Sequence, residues 1–216
     1  MADPVYRTLA DVLEDEVFPE VDLLLREGRH IDDLDLEHFA FLQDARTVLD
    51  GFYDRFGCDL VRSSDGYFFL SPRGDRMGRR SLDAAEMLVG QTLCLLRLDP
   101  GMLRTSWRVA RVRVLELLEQ LVGAERLGHA LNPRRKRRSQ AVEEEEIRKD
   151  VAGAIRTLAR LGFVDVEADD QLRLRVSLLR FAEPVATQPR PEEALANLIA
   201  VGTADESDDE DAGEKE

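Results

Sequence analysis

The chain has 216 residues and 44% of them are apolar, which is enough to bury one or two hydrophobic cores. Its formal net charge is −14 at pH 7, but residues 205–216 alone contain eight acids and one lysine, a local charge of −7. The acidic average therefore does not exclude a nucleic-acid partner. The terminal run lacks large apolar side chains to bury, so we predict an acidic disordered tail over 205–216.

Several classes of protein are excluded by what the sequence lacks. Cys58 and Cys94 are the only cysteines, and the start of the chain has no basic and apolar leader, which predicts a cytoplasmic protein. No stretch approaches the roughly eighteen apolar residues of a membrane span. His30, His38 and His129 lack metal-ligand spacing, and there is no phosphate-binding glycine loop or nucleophile elbow. We expect no metal, no cofactor and no enzymatic activity.

The first helices follow from apolar periodicity. Residues 5–27 predict two short helices separated near Pro19 and ended by Gly28. Residues 36–56 then predict one long helix with an aromatic-rich stripe that we assign to the core. The stripe consists of Phe39, Leu42, Leu49, Phe52, Tyr53 and Phe56.

A glycine stop and a hairpin follow this helix. Gly57 precedes two alternating segments, residues 58–62 and 67–70, which flank a polar turn. The pair Asp65 and Gly66 is expected to supply the positive φ values of a tight turn.

Two more helices are predicted in the middle of the chain. The first is capped within residues 81–86, runs to Leu98, and is assigned to the first domain. The second runs over residues 104–121 with Arg104, Arg108, Arg111 and Arg113 adding positive charge. Its inward face consists of Val109, Val112, Leu115, Leu118, Leu121 and Val122.

The segment from Glu143 to Val176 is the most informative part of the sequence. Ile147, Val151, Ala154, Ile155, Leu158 and Leu161 recur at helical spacing and predict a buried face. Lys149, Arg156 and Arg160 lie opposite that face and form a cationic ridge. Gly162 caps the helix in the left-handed conformation. A hairpin follows, in which alternation places Leu172 and Leu174 on the buried face and Arg173 and Arg175 on the other.

The order helix, glycine stop, strand, polar turn, strand occurs twice, at Gly57 and at Gly162. This repeat predicts a mainly α protein with short β-hairpins, of class α+β, with tandem winged-helix domains at residues 1–100 and 101–182. A C-terminal extension with a short helix follows over residues 183–204, where Leu195, Leu198 and Ile199 form a narrow apolar strip.

Two groups of cations are candidate DNA-binding residues. The basic run has two interpretations, a solvated loop or a set of phosphate contacts, and its uniform sign favours phosphate. The ridge is either an exposed helix face or the DNA-contacting face of a recognition helix, and the sequence leaves both interpretations open. The candidates are Arg134, Arg135, Lys136, Arg137, Arg138, Lys149, Arg156 and Arg160.

Several segments resemble the MukE family, the winged-helix (KITE-type) subunits of the bacterial condensin MukBEF. The resemblance lies in residues 25–31, 39–42, 53–56, 66–73, 80–81, 87–94, 158–162 and 180–181. It implies a homodimer that binds the kleisin MukF, joins the SMC ATPase MukB through it, and helps to clamp DNA in chromosome condensation and segregation. It also implies a nucleoid-associated location and makes the ridge the DNA-facing side.

Two alternatives remain open from the sequence. One is the equivalent subunit of a related SMC system devoted to plasmid defence. The other is a sequence-specific winged-helix transcription regulator. The ridge lacks Asn and Gln for reading base edges, which favours sequence-independent contact with phosphate.

Overall fold

The protein is described by a computed structural model over residues 5–74, 77–78, 81–133 and 140–182. It is mainly helical, with two small antiparallel sheets of three strands each. This arrangement confirms the α+β class. The N-terminal elements are α1 (Leu9–Leu13), α2 (Phe18–Arg26), β1 (Ile31–Asp32), α3 (Leu36–Asp54), β2 (Cys58–Arg62) and β3 (Tyr67–Pro72).

The first two helices form as the sequence predicts. Pro19 lies in the first turn of α2, where its missing N–H has no helical partner to lose. Gly28 follows α2 with φ of 85°, and Gly57 follows α3 with φ of 73°. Both glycines adopt the left-handed conformation that ends a helix at little steric cost.

The first sheet has the strand order β1-β3-β2, so the second strand of the hairpin lies in the centre. At the turn, the Ser63 N–H donates to the Tyr67 carbonyl at 2.8 Å, and Gly66 has φ of 93°. Asp65 does not have a positive φ, so the expectation for this residue was wrong. The turn needs only one left-handed residue because it spans four residues rather than two.

The stripe on α3 is largely buried. Leu42, Leu49 and Tyr53 are fully buried and join α1, α2 and the first sheet in one cluster, which we call the N-terminal core. Phe56 was assigned to this core, but 41% of it is exposed. Its ring lies 4.7 Å from the Arg26 guanidinium, so it packs beneath a cation at the surface.

The C-terminal elements build a second, larger cluster of buried side chains, the C-terminal core. Its sheet has the order β4-β6-β5, the same pattern as the first sheet. The elements are α4 (Ala84–Leu98), a 3-10 turn (Pro100–Thr105), β4 (Arg108–Ala110), α5 (Arg111–Val122), α6 (Ala124–Leu131), α7 (Gln140–Arg160), β5 (Val164–Val166), β6 (Gln171–Leu174) and a second 3-10 segment (Val176–Ala182).

Helix α4 begins at a capping box, in which the Asp83 carboxylate accepts from the Glu86 N–H at 2.8 Å. The cap lies within the predicted residues, and the helix ends at Leu98 as expected. Its packing differs from the expectation, because Leu88, Val89 and Leu93 belong to the C-terminal core rather than to the N-terminal one.

The prediction of one helix over residues 104–121 was wrong for the first half of this range. Ser106 and Trp107 have φ of 51° and 63°, and a short strand follows before α5 begins at Arg111. The helical phase is shifted as a result. Val112 is 62% exposed and Leu121 is 37% exposed, whereas Val114, which was not assigned to the buried face, is fully buried.

No helix in the described part of the chain is long and apolar enough to cross a membrane. The basic run, the C-terminal extension and the acidic tail lie outside the described residues.

Candidate nucleic-acid interface

Helix α7 separates its apolar and cationic faces as its sequence predicts. Every residue assigned to its inward face is buried, with Leu158 fully enclosed and Ile147 the most accessible at 8%. Lys149, Arg156 and Arg160 are exposed on the opposite face. These three residues, which we call the ridge, therefore contribute little to the core and are accessible to a partner.

The three cations of the ridge differ in their neighbours. The Lys149 Nζ lies 3.6 Å from a carboxylate oxygen of Glu145, one helical turn earlier. Within the residues that the structure describes, Arg156 and Arg160 have no carboxylate at ion-pair distance. The positive potential of the ridge is therefore least compensated towards the C-terminal end of α7.

The basic run Arg134 to Arg138 was the other predicted DNA-binding group. All five residues, Arg134, Arg135, Lys136, Arg137 and Arg138, lie outside the described residues. Ser139 separates them from Gln140, the first residue of α7. Only their place in the sequence therefore relates them to the ridge.

Three arginines of the predicted 104–121 helix, Arg108, Arg111 and Arg113, are each paired with an acid. Arg108 donates two hydrogen bonds to Glu167, at 2.6 and 3.1 Å, and Arg111 lies 3.1 Å from Asp170. Arg113 pairs with Glu116 at 3.0 Å. The hydrogen bond from Arg108 also lowers the pKa of Glu167 below its usual range. The hairpin β5–β6 thus neutralises Arg108 and Arg111 with its own acids, and Glu116 on α5 neutralises Arg113.

The structure reveals a different arginine that the sequence did not single out. Arg175 was assigned to the outward face of the hairpin, but its side chain is only 4% exposed. Its guanidinium lies 2.9 Å from Asp165, 3.0 Å from Asp32 and 2.7 Å from Asp35. Asp32 and Asp35 come from the N-terminal part of the chain, so Arg175 joins the two cores through buried ion pairs. The assignment failed because β6 ends at Leu174 and the alternation stops there.

The carboxylates around Arg175 respond differently to burial. Burial raises the pKa of Asp32 despite the opposing charge of Arg175. Burial acts in the same direction on Asp35, but the hydrogen bond and charge of Arg175 outweigh it, so the pKa of Asp35 is lowered. Asp35 therefore keeps its negative charge and holds Arg175 in place.

His30 makes the second contact between the cores. Its backbone N–H donates to the Leu161 carbonyl at 2.8 Å, and its Nδ1 lies 3.0 Å from the same oxygen. Its Nε2 accepts a hydrogen bond from Arg180 at 2.6 Å, and its ring lies 4.4 Å from that of Phe163. Burial and then the charge of Arg180 lower the pKa of His30 to about 3, so the ring is neutral.

Gly162 adds a steric reason for this arrangement. Its φ of 75° confirms the predicted left-handed cap. A Cβ at this position would overlap the His30 carbonyl oxygen. The glycine therefore allows the N-terminal part of the chain to approach the end of α7 closely. We call this set of contacts, formed by His30, Asp32, Asp35, Leu161, Gly162, Arg175 and Arg180, the junction.

The described residues contain no group of three or more His, Cys, Asp or Glu side chains that could hold a metal ion. Cys58 and Cys94 are both buried, and burial raises the pKa of Cys94 to about 11, so this thiol is not activated. The fold and the ridge together define a mainly helical α+β protein with three exposed cations on one face of α7.

Comparison with known proteins identifies the family. The model of the MukE-like family matches residues 5–216, and the chain belongs to this family. It is 34% identical over 206 residues to the chromosome partition protein MukE of Haemophilus influenzae, covering 94% of this chain and 84% of that protein. It is 32% identical to the protein of the same name from Pectobacterium atrosepticum, covering 94% and 93% of the two chains. The Escherichia coli protein of that name is 33% identical, with 91% and 88% covered.

Proposed function

We propose that this chain is the MukE-type subunit of an SMC–kleisin condensin and acts in chromosome condensation and segregation. The observation that carries the proposal is the family match over residues 5–216, together with relatives named chromosome partition protein MukE. These names favour chromosome partition over plasmid defence. The role is structural rather than enzymatic: the subunit binds a MukF-like kleisin, joins a MukB-like ATPase through it, and regulates that ATPase in the nucleoid.

Each part of the chain corresponds, in this proposal, to one winged-helix domain. Both parts have one or more helices, a short strand, one or more further helices and a hairpin, and both sheets place the last strand in the centre. Because α4 packs in the C-terminal core, we place the domain boundary near residue 80 rather than at residue 100. Residues 183–204 form an extension and 205–216 a tail, and two copies of the chain form a homodimer.

DNA contact in this proposal is made by the ridge and by the basic run from Arg134 to Arg138. It is directed at phosphate, because Arg156 and Arg160 have no carboxylate at ion-pair distance among the described residues. It is independent of sequence, because the ridge lacks Asn and Gln for reading base edges. Glu167 and Asp170 of the β5–β6 hairpin disfavour a binding orientation in which this hairpin contacts the DNA phosphates.

Two experiments test the proposal. Copurification from cells that contain the tagged full-length chain is expected to recover a kleisin and an SMC ATPase, and recovery of neither would contradict the assignment. For the DNA face, binding is measured against salt concentration. The double variant Arg156→Ala/Arg160→Ala is expected to reduce the slope of log K against log salt by about 1.8, since each phosphate contact contributes roughly 0.9.

The control for the DNA measurement is Arg113→Ala/Arg126→Ala, which removes the same charge from α5 and α6. It is expected to leave the slope within about 0.5 of the original, less than one phosphate contact. Equal slopes for the two double variants would show that net charge alone drives binding. Protection of one defined sequence in a footprint would favour a transcription regulator instead.

A further inference from the structure

A cavity of about 610 Å³ opens between the two cores. Its size lies within the range of pockets that bind drug-sized molecules or clusters of side chains, roughly 300–1,000 Å³. Most of its wall is apolar and comes from both parts of the chain. Leu25 and Leu70 contribute from the N-terminal core, and Met87, Leu161, Phe163 and Phe181 from the C-terminal core.

Among the described residues, the wall also contains a cation, Arg180, that has no anionic partner. Arg180 donates to the neutral ring of His30 and lies 4.1 Å from the centre of the Phe69 ring. No carboxylate lies at ion-pair distance from it among the described residues. The other charged side chains of the wall are Arg26, which is paired with Asp22 at 2.8 Å, and Glu27. The cavity therefore suits an apolar segment with a carboxylate at one end.

The described chain ends beside this cavity. Phe181 is part of the wall, and Ala182 is the last described residue. The sequence then continues through eight residues, 183–190, to the segment 191–202, whose apolar strip is Leu195, Leu198 and Ile199. Eight residues span up to about 28 Å, so this segment can reach any point of an adjoining cavity.

The composition of the segment matches the wall. Its predicted helix begins with Pro191, Glu192 and Glu193, so its acidic end precedes its apolar strip. A helix of this length is marginal on its own and requires a surface to bury its strip. Attachment through a short linker gives it an effective concentration of about millimolar at the cavity, well above that of any separate chain in dilute solution.

We propose that the cavity is the docking site for residues 191–202 of the same chain. Leu195, Leu198 and Ile199 fill the apolar wall, and a carboxylate of Glu192 or Glu193 pairs with Arg180. This inference goes beyond the proposed function because it requires neither DNA nor a kleisin. It assigns the C-terminal extension the task of covering the gap between the two cores.

Photo-crosslinking of the purified full chain tests the proposal. A benzoylphenylalanine is introduced at Leu82, which lines the cavity and lies at its edge before α4. Irradiation in dilute solution is expected to give a crosslink within a single chain, identified by mass spectrometry, to residues 191–202. A second probe at Met87 gives the same result from another position on the wall.

Matched substitutions in the segment separate docking from chance contact. Leu198→Asp places a charge in the apolar strip and is expected to reduce the crosslink yield about tenfold. Asn197→Asp introduces the same residue at the adjacent position on the opposite side of the predicted helix, and its yield is expected to stay within about twofold.

Three outcomes would overturn the proposal. Equal yields from the two variants would show that the strip does not dock. A crosslink between two chains would assign the cavity to a second copy. The absence of any crosslink to residues 191–202 from both probes would exclude this segment as the occupant.

Discussion

The junction and the ridge both depend on cations, but they use them in opposite ways. Arg175 at the junction is buried and paired with three carboxylates, two of them, Asp32 and Asp35, from the distant N-terminal part of the chain. Arg156 and Arg160 on the ridge are exposed, with no carboxylate at ion-pair distance in the part of the chain that the structure describes. A buried cation must have its counter-ions supplied by the fold, whereas an exposed one is solvated by water and remains available to an external anion. The difference indicates that Arg175 maintains the structure, whereas Arg156 and Arg160 remain accessible at the surface.

The largest expected effect comes from removing the buried cation. Arg175→Met leaves Asp32, Asp35 and Asp165 without their shared partner, and we expect the free energy of unfolding to fall by about 3–5 kcal/mol. Urea denaturation of the full chain measures this loss. Arg173→Met, two residues earlier in β6, is the control and is expected to cost less than about 1 kcal/mol. Similar losses in the two variants would refute the special role of Arg175.

The next largest loss of stability is expected at Gly162, where the chain closely approaches the His30 carbonyl. Gly162→Ala combines a left-handed backbone with a Cβ placed against the His30 carbonyl, and we expect a loss of about 2–4 kcal/mol. Gly66→Ala isolates the backbone contribution, because Gly66 has φ of 93° and its added Cβ would have only Gly66 and its two chain neighbours within 4 Å among the described residues. Its expected loss is about 1–2 kcal/mol. If both variants lose the same amount, the contact with His30 does not matter for stability.

The neutral ring of His30 makes the junction sensitive to acid. The pKa of His30 is lowered from 6.5 to about 3 in the folded protein, so the unfolded chain binds a proton that the folded chain does not. The resulting stabilisation is complete above pH 6.5 and is lost as the pH falls towards 3. We expect this residue to account for roughly 2 to 3 kcal/mol of the stability lost between pH 7 and pH 4.5.

His30→Asn is expected to flatten the dependence of unfolding free energy on pH over that interval by the same amount. Gly66→Ala serves as the control, since it lowers stability without changing a titrating group. Its pH profile should run parallel to that of the original protein. A His30→Asn profile that is also parallel would show that this ring does not titrate with unfolding.

The smallest expected effect is a change in DNA affinity caused by a substitution next to the ridge. Glu145→Gln removes the carboxylate beside Lys149, and we expect DNA affinity to rise about twofold, because such exposed pairs are worth roughly 0.2–0.5 kcal/mol. Glu119→Gln removes the same charge from α5 and should change affinity less, with both measured by fluorescence anisotropy at one salt concentration. An equal increase in both variants would mean that only net charge had been measured.

The sequence predicted α7 well because its information is local. Ile147 to Leu161 follow one helical period over four turns, and Gly162 ends the helix in a conformation that glycine adopts easily. The positions of Lys149, Arg156 and Arg160 follow from the same period. Their exposure was therefore predictable, although their role in DNA binding remains a prediction.

Predictions from the sequence were wrong where the structure depends on a contact between distant residues, or where the apolar pattern fits more than one kind of element. The carboxylates of Asp32 and Asp35 lie about 140 residues before Arg175 in the chain, so no local pattern indicates that they meet. The segment around Val109 and Val112 is compatible with either a helix or a strand, and the left-handed Ser106 and Trp107 decide the outcome. These two residues carry no glycine-like signal that would reveal the break.

The hydrogen bonds between His30 and Leu161 have a mechanical consequence. The Leu161 carbonyl, one residue past the end of α7, accepts a hydrogen bond from the backbone N–H of His30, the residue before β1. One part of the chain cannot rotate against the other at this point without breaking those bonds and disturbing the packing around Gly162. The contacts of His30, Leu161 and Gly162 therefore oppose a change in the distance between the two sheets.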